Sequence, residues 1–298
     1  MQTLLTIIIP TYNRPQMVEL AVESALAQTI ETSGKGIEVL VVDDHSPDPL
    51  SLPKHPRLRA IRLPKNCGGA AARNEGARAA LGKYITYLDD DDQLLPGMAE
   101  AAIRALRDSP LPPPVAVLTG IEVVNQSGEV LKTRWPPVLP KGSHFSLEKI
   151  SPDKSFLTKQ TLVVEREVLL GIGGFDETFQ SRVHSELFLR LNQVCSLMGL
   201  PIITYRLMAH EGYRVSSNPD LRQTSFKQLI AKHRSLFEAH PAQFAKFLYE
   251  HARKSSKSGQ KQAALKALAW AFKVHPFHSS LLIGRQIKAQ LTKNMTVW

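Results

Sequence analysis

Cysteine is scarce in this 298-residue chain: there are two, Cys67 and Cys195, far apart and outside any CxxC pair. That excludes a disulfide framework or a zinc ribbon and makes a reducing compartment the expected setting. The first residues, MQTLLTIIIP, carry no basic stretch and run straight into a strand-like pattern, so no cleaved signal peptide is expected. Nor does any segment approach the roughly 18 to 20 uninterrupted apolar residues that a membrane span requires. No GxGxxG follows the first strand, which removes the fingerprint of a dinucleotide oxidoreductase. The expected location is the cytoplasm, with the inner face of the membrane as a peripheral station.

Acidic residues are the other shortage, and it is a local one. Residues 222–298 carry 14 Lys+Arg against 2 Asp+Glu, whereas the residues before them hold 23 against 25. The net charge of +10 therefore belongs to the tail, which suits contact with an anionic membrane, with nucleic acid or simply with water. No RNA- or DNA-binding motif accompanies the charge, so no specific nucleic acid partner is expected.

What the chain does have is apolar periodicity, and 43% hydrophobic residues suffice for a real core. Thr6 to Pro10 reads as a buried strand, and Pro15 then opens a helix with Val18, Ala21, Val22, Ala25 and Leu26 at helical spacing. The unit repeats: a β-branched run from Ile37 to Val42, then an alanine-rich helix from about Gly69 to Leu81 closed by Gly82. A strand over Tyr84 to Leu88 follows, and Pro96 opens a helix with Ala99, Ala102, Ile103 and Leu106 on one face. Strand and helix alternating in this way predict an α/β fold with a mostly parallel sheet covered on both sides. After the proline-rich break at Ser109 to Pro114 the pattern becomes mixed, with strands over Val115 to Val124 and Val130 to Trp135 around a turn at Ser127-Gly128. From Arg222 onward only helical patterns remain, which divides the chain into a domain over 1–221 and a basic helical extension over 222–298. The stretch around Gly259 resembles a single helix-turn-helix repeat, and one copy makes no solenoid.

Two strands end in carboxylates: Asp43 and Asp44 in VLVVDDHS, and Asp89 to Asp92 in YITYLDDDD. Ligands of open α/β sheets bind outside the carboxyl ends of the strands, so both clusters are expected at one crevice. Four successive aspartates repel one another unless a cation or hydrogen-bond donors neutralise them. Hard oxygen ligands suit Mg²⁺ or Mn²⁺, which complete their shells with phosphate oxygens and water. The plain alternative is a solvated loop, with Asp89 and Asp92 capping the Pro96 region.

The segments IIIPTYNRP, VLVVDDHS, NCGGAAARNEGARAALGKYITYLDDDD and GGFDETF, in this order and spacing, resemble the family 2 glycosyltransferases over roughly residues 3 to 215. The resemblance implies a GT-A fold, a nucleotide-sugar donor with uridine favoured, a divalent metal and inversion. It also implies an acceptor that is a carbohydrate, a lipid-linked sugar or a protein. By position it puts Pro10, Thr11, Tyr12 and Arg14 along the nucleotide, Asp44 at its base, Asn66 and Arg73 on the donor-side wall, Asp90 at the ribose and Asp91 on the metal. Packing of Tyr12 on the sheet and pairing of Arg73 with Glu75 are the structural alternatives. His210, with Arg214 and Ser216, falls where the family closes the donor site, and His210 is a second candidate metal ligand.

One departure matters. Such enzymes place a catalytic aspartate shortly after the GGFDE loop, and this chain reads His184-Ser185-Glu186 there. His184 as general base, Glu186 from a shifted helix, another residue such as Asp176, and a protein that binds nucleotide sugar without turnover all stay open. Imidazole suits the role, since its ordinary pKa near 6.5 leaves a neutral fraction at cytoplasmic pH.

Overall fold

A computed structural model describes residues 3–31, 36–209 and 218–295. The chain divides into one unit formed by Met1–Ser146 with Ile150–Gly212 and a second formed by Leu147–Lys149 with Tyr213–Trp298.

The first unit is built on strands β1 (Thr3–Thr11), β2 (Gly36–Asp43), β3 (Leu58–Arg62), β4 (Tyr84–Tyr87), β5 (Gln93–Leu94), β6 (Val115–Val124), β7 (Val130–Arg134), β8 (Val163–Glu165) and β9 (Ser196–Met208). They form one sheet in the order β3-β2-β1-β4-β8-β6-β9-β5, with β7 beside β6. β1 pairs in parallel with both β2 and β4, and β2 with β3. β8 runs antiparallel to β4 and to β6, so the sheet changes character at its centre. Helices α1 (Pro15–Leu26), α2 (Gly69–Ala79), α3 (Met98–Asp108), α4 (Arg166–Gly171) and α5 (Val183–Val194) cover it.

Alternation along the central strands explains the two layers. Ile8, Leu40 and Val42 face α2 and α5 through Ala72, Ala77, Leu187 and Phe188. Ile7, Ile9, Val39 and Val41 face α1 and α3 through Val18, Ala21, Ala25, Ala99 and Ala102. Both faces being buried, the strands read as continuous apolar runs, as expected of a parallel sheet. Two boundaries differ from the sequence reading. α3 starts at Met98 behind Gly97, which takes a left-handed φ of 81°, so Pro96 precedes the helix. α2 ends at Ala79, and Gly82 is no helix cap: a Cβ there would stand 2.6 Å from the Thr6 backbone nitrogen, so that glycine serves close approach to β1.

The second unit consists of α6 (Pro219–Lys232), α7 (Arg234–Ala239), α8 (Pro241–Lys257), α9 (Lys261–Val274) and α10 (Pro276–Met295). Asn218 caps α6, its side chain accepting from the Asp220 and Leu221 amides. Gly259, at φ 77°, makes the turn between α8 and α9. The interior is aromatic: Phe226 stacks on His251, and Phe237 packs on Phe244 and Phe247. Among the described residues no helix is long and apolar enough to cross a membrane.

Candidate functional site

The strand order reverses at β1, since β2 and β3 lie on one side and β4 on the other. A crevice at such a switch point is where open α/β sheets bind ligands. Residues leaving β1 and β4 meet there. Thr11 Oγ1 donates to Asp90 Oδ2 at 2.7 Å, and Arg14 Nη1 donates to Asp90 Oδ1 at 3.0 Å and Asp91 Oδ2 at 3.2 Å. Burial raises the Asp90 pKa even so, against the bond from Thr11 and the charge of Arg14. Burial also opposes the charge on Arg14, but Asp90 and Asp91 outweigh it and the guanidinium is held charged.

The end of β2 forms the next wall. Asp43 accepts from Ser46 N at 2.8 Å and Ser46 Oγ at 2.6 Å, and its other oxygen from Arg62 at 2.7 Å. Ser46 Oγ in turn accepts the Asn13 amide at 2.9 Å, which ties the loops after β1 and β2 together. Asp44 is buried, and its two oxygens accept the Cys67 and Gly68 amides, each at 2.7 Å. It thereby fixes the NCGG turn that starts α2. Tyr12 is 45% exposed rather than packed on the sheet, Pro10 is buried within β1, and Asn66 is exposed at the rim.

Asp89, Asp91 and Asp92 bring carboxylate oxygens within 4.8 Å of one another. Burial first, then the charges of Asp89 and Asp91, push the Asp92 carboxyl up to about 8. Asp92 caps nothing near Pro96: it accepts from Tyr205 Oη at 2.8 Å and from the Met208 amide at 2.9 Å, both on β9. An all-oxygen set with this much mutual repulsion fits a hard divalent cation. Asp90 is turned to Thr11 and Arg14 instead.

A third group faces the same acids. Arg73 pairs with Asp89 at 2.5 Å, while Glu75 is taken by Arg78. The Phe175 ring lies 5.8 Å from the Arg73 guanidinium and meets the His184 ring edge to face at 5.3 Å. Burial, then Arg73 and Lys159 against the opposing pull of Asp89, lower the His184 pKa to about 3. Glu186, two residues on, is fully buried and forms a forked pair with Arg190 at 2.8 and 2.5 Å. Arg190 also donates to the Ile172 and Gly174 carbonyls, so this pair braces the GGFDE loop from beneath. Asp176 accepts from the amide and hydroxyl of Thr178, closing the turn in that loop. His210, Arg214 and Ser216 lie outside the described residues.

Sequence reasoning passed over two residues that organise this site. Asn74 was readable as part of the ARN element but carries no charge to draw attention. Tyr205 sits in a strand without a motif, 113 positions from its partner Asp92, and nothing local marks it.

Residues 6–158 match the family model for Glycosyl transferase family 2. The chain is a member of that family. Among relatives of this family member, an uncharacterized glycosyltransferase of Haemophilus influenzae is 29% identical over 192 residues, covering 64% of this chain and 62% of that one. Chondroitin synthase of Pasteurella multocida is 30% identical over 216 residues, 70% of this chain and 21% of the synthase. The family member described here thus spans under two thirds of the first relative and about a fifth of the second. Residues 1–349 of S. aureus TarS, solved in complex with UDP-GlcNAc, superpose with a TM-score of 0.65 at 18% identity, covering 94% of this chain and 84% of that one. The architecture is of the GT-A type expected from the sequence.

Proposed function

We propose that this glycosyltransferase moves a sugar from a nucleoside-diphosphate sugar, preferentially a UDP-sugar, to an acceptor hydroxyl with inversion at the anomeric carbon. The observation that carries the reading is the meeting of Thr11 and Arg14 from β1 with Asp90 and Asp91 from β4 at the switch point of the sheet. The fold shared with TarS, crystallised with UDP-GlcNAc and with UDP, supports the donor class.

In this reading the exposed Tyr12 ring stacks on the base. Asp44 shapes the NCGG turn beside it, with Asn66 at the rim, and Asp90 faces the ribose. Arg14 and Arg73 offset charge near the diphosphate. Mn²⁺ or Mg²⁺ held by Asp89, Asp91 and Asp92 would neutralise charge developing on the departing diphosphate. His184 accepts the proton of the acceptor hydroxyl as its oxygen bonds to the anomeric carbon and the bond to the diphosphate breaks. The imidazole is neutral at working pH; burial and Arg73 disfavour the imidazolium formed, and the Asp89 carboxylate offsets part of that cost. Glu186 acts as the brace beneath the loop. The acceptor is a carbohydrate, a lipid-linked sugar or a protein, and the basic residues 222–298 favour work at an anionic membrane surface.

A second reading, donor binding without transfer, is favoured by one observation: an imidazole pushed down to about 3 is a weak base. A thermal-shift and calorimetric screen of nucleoside diphosphates and UDP-sugars with and without Mn²⁺ tests both. Metal-dependent binding that is lost in Asp91→Ala supports the donor site, and release of UDP with an acceptor distinguishes transfer from binding alone. No binding of any nucleotide by the native chain overturns both readings.

A further inference from the structure

The second unit contains a cavity of about 880 Å³ that the transfer reaction does not use. It is shaped by α6, α7, α8 and α9, and its apolar floor includes Ile230 and Phe244, both buried. Over that floor stands Trp270, 38% exposed, its indole held edge to face against Phe244 at 5.4 Å. An immobilised, partly exposed indole on a cavity wall is a platform for a flat apolar ligand face.

The charge around the platform is one-sided. Lys227, Arg234 and Lys273 line the cavity, and its one acid, Glu238, already accepts from Arg234 Nε at 2.8 Å. That contact engages one of the five N–H donors of the guanidinium. Arg and Lys at such a wall recognise carboxylate or phosphate groups. A pyranose ring offers an apolar C–H face to the indole, and an acidic substituent on the same or the next residue meets the cations.

We infer that this cavity binds an anionic sugar chain, one bearing carboxylates or phosphates, and so holds the acceptor or growing product on the second unit. The inference rests on the glycosyl-transfer reading for the identity of its ligand. Single-stranded nucleic acid combines bases and phosphates in a similar way. The companion family-2 transferase domain on the same chain is what favours the carbohydrate.

The test measures binding of the full chain to a hexuronate oligosaccharide, a phosphorylated mannose oligosaccharide, a neutral dextran of equal length and an oligo-dT of equal charge. The expected result is binding of at least one anionic oligosaccharide, weakened by salt, with dextran and oligo-dT at least tenfold weaker. Trp270→Ala and the double variant Lys227→Gln/Lys273→Gln each weaken it tenfold or more. UDP binding, measured on the same samples by thermal shift, stays at the native level and reports that the variants are folded. Preference of the uronate or of the phosphorylated chain identifies the acidic group. The inference is overturned if neither anionic chain binds at low salt, if oligo-dT binds more tightly, or if the variants bind as the native chain does. Loss of UDP binding by the native chain, with oligosaccharide binding intact, instead strikes the donor reading alone.

Discussion

Asn74 commits its whole amide to the segment around Phe175. Its Nδ2 donates to the Phe175 carbonyl at 2.9 Å and to Glu177 Oε1 at 2.7 Å, and its Oδ1 accepts the Phe175 amide at 2.8 Å. Asn74 lies on α2, one residue beyond Arg73, so the helix that pairs with Asp89 through Arg73 also sets the loop whose Phe175 ring meets His184. Gly174 completes the fit. A Cβ there would stand 2.4 Å from Asn74 Oδ1, and its φ of 64° disfavours any side chain.

Asn74→Ala strips partners from two buried backbone groups of Phe175. Each unpaired buried group costs about 1–3 kcal/mol, so urea unfolding should shift to lower denaturant by a readily measured amount. Turnover should fall further than the loss of folded protein explains, because the His184 contact moves with the loop.

His184 and Glu186 should separate cleanly. His184→Ala is expected to keep the fold and UDP binding while kcat falls about 10²–10⁴-fold, the usual contribution of a general base. Glu186→Ala removes the buried carboxylate from its pair with the half-buried Arg190, a change that costs up to about 3–5 kcal/mol. Its activity loss should follow the fraction unfolded. Circular dichroism melts beside single-turnover kinetics check both, and a folded Glu186→Ala enzyme devoid of turnover would reverse the assignment.

The pH dependence of stability carries a signature of His184. Its pKa is about 3 in the folded chain, below its ordinary 6.5. Below pH 6.5 the unfolded chain therefore binds a proton that the folded chain refuses, and stability falls as pH falls from 6.5 toward 3. Above 6.5 the histidine is neutral in both states and contributes no slope. Comparing urea midpoints at pH 7.5 and 5.0, His184→Gln should lose less stability on acidification than the native chain. The kcat/KM profile should likewise lack an acid limb at 6.5 arising from this residue.

Divalent ions should raise the melting temperature by mass action. Binding at a hundredfold excess over Kd adds about 2.7 kcal/mol. Mn²⁺ is expected to stabilise the native chain, EDTA to reverse the gain, and Asp91→Ala to abolish it. Asp43→Ala, a change at the far wall, should retain the Mn²⁺ response, which separates a specific site from general screening of acidic residues.

The parallel half of the fold was legible because its strands are buried on both faces. Ile7 to Ile9 and Val39 to Val42 announce themselves as apolar runs, and the aspartates that follow β2 and β4 mark the crevice. Beyond the β6–β7 hairpin, which the turn at Ser127-Gly128 marks, the antiparallel pairings were not. β8 has three residues and β5 two, and their pairing with β4 and β9 depends on contacts far apart in sequence. The candidate site divides the same way. Asp91 and Asp90 stand out as part of a four-residue acidic run, but their different partners follow from turn geometry. Arg73 was expected against either donor or Glu75, and it reaches Asp89 because α2 presents it across the end of β4. Asp44 was read as a contact to the base, and its bonds to the Cys67 and Gly68 amides depend on a turn whose geometry the letters NCGG do not disclose.

The path from β4 to β5 is short: Leu88 to Asp92, turned back on itself where the Asp92 amide bonds to the Asp89 carbonyl. Yet β5 lies four places from β4 in the sheet, a span of about 19 Å for strands spaced at 4.8 Å. Five residues containing a turn reach that far only if the sheet curls and brings β9 back toward the central strands. The acidic run is thus a tether drawn across a bowed surface, anchored at one end by the β4 backbone and at the other by Tyr205 and Met208. The far edge of the sheet and the acidic run are therefore held in one register, through Asp92.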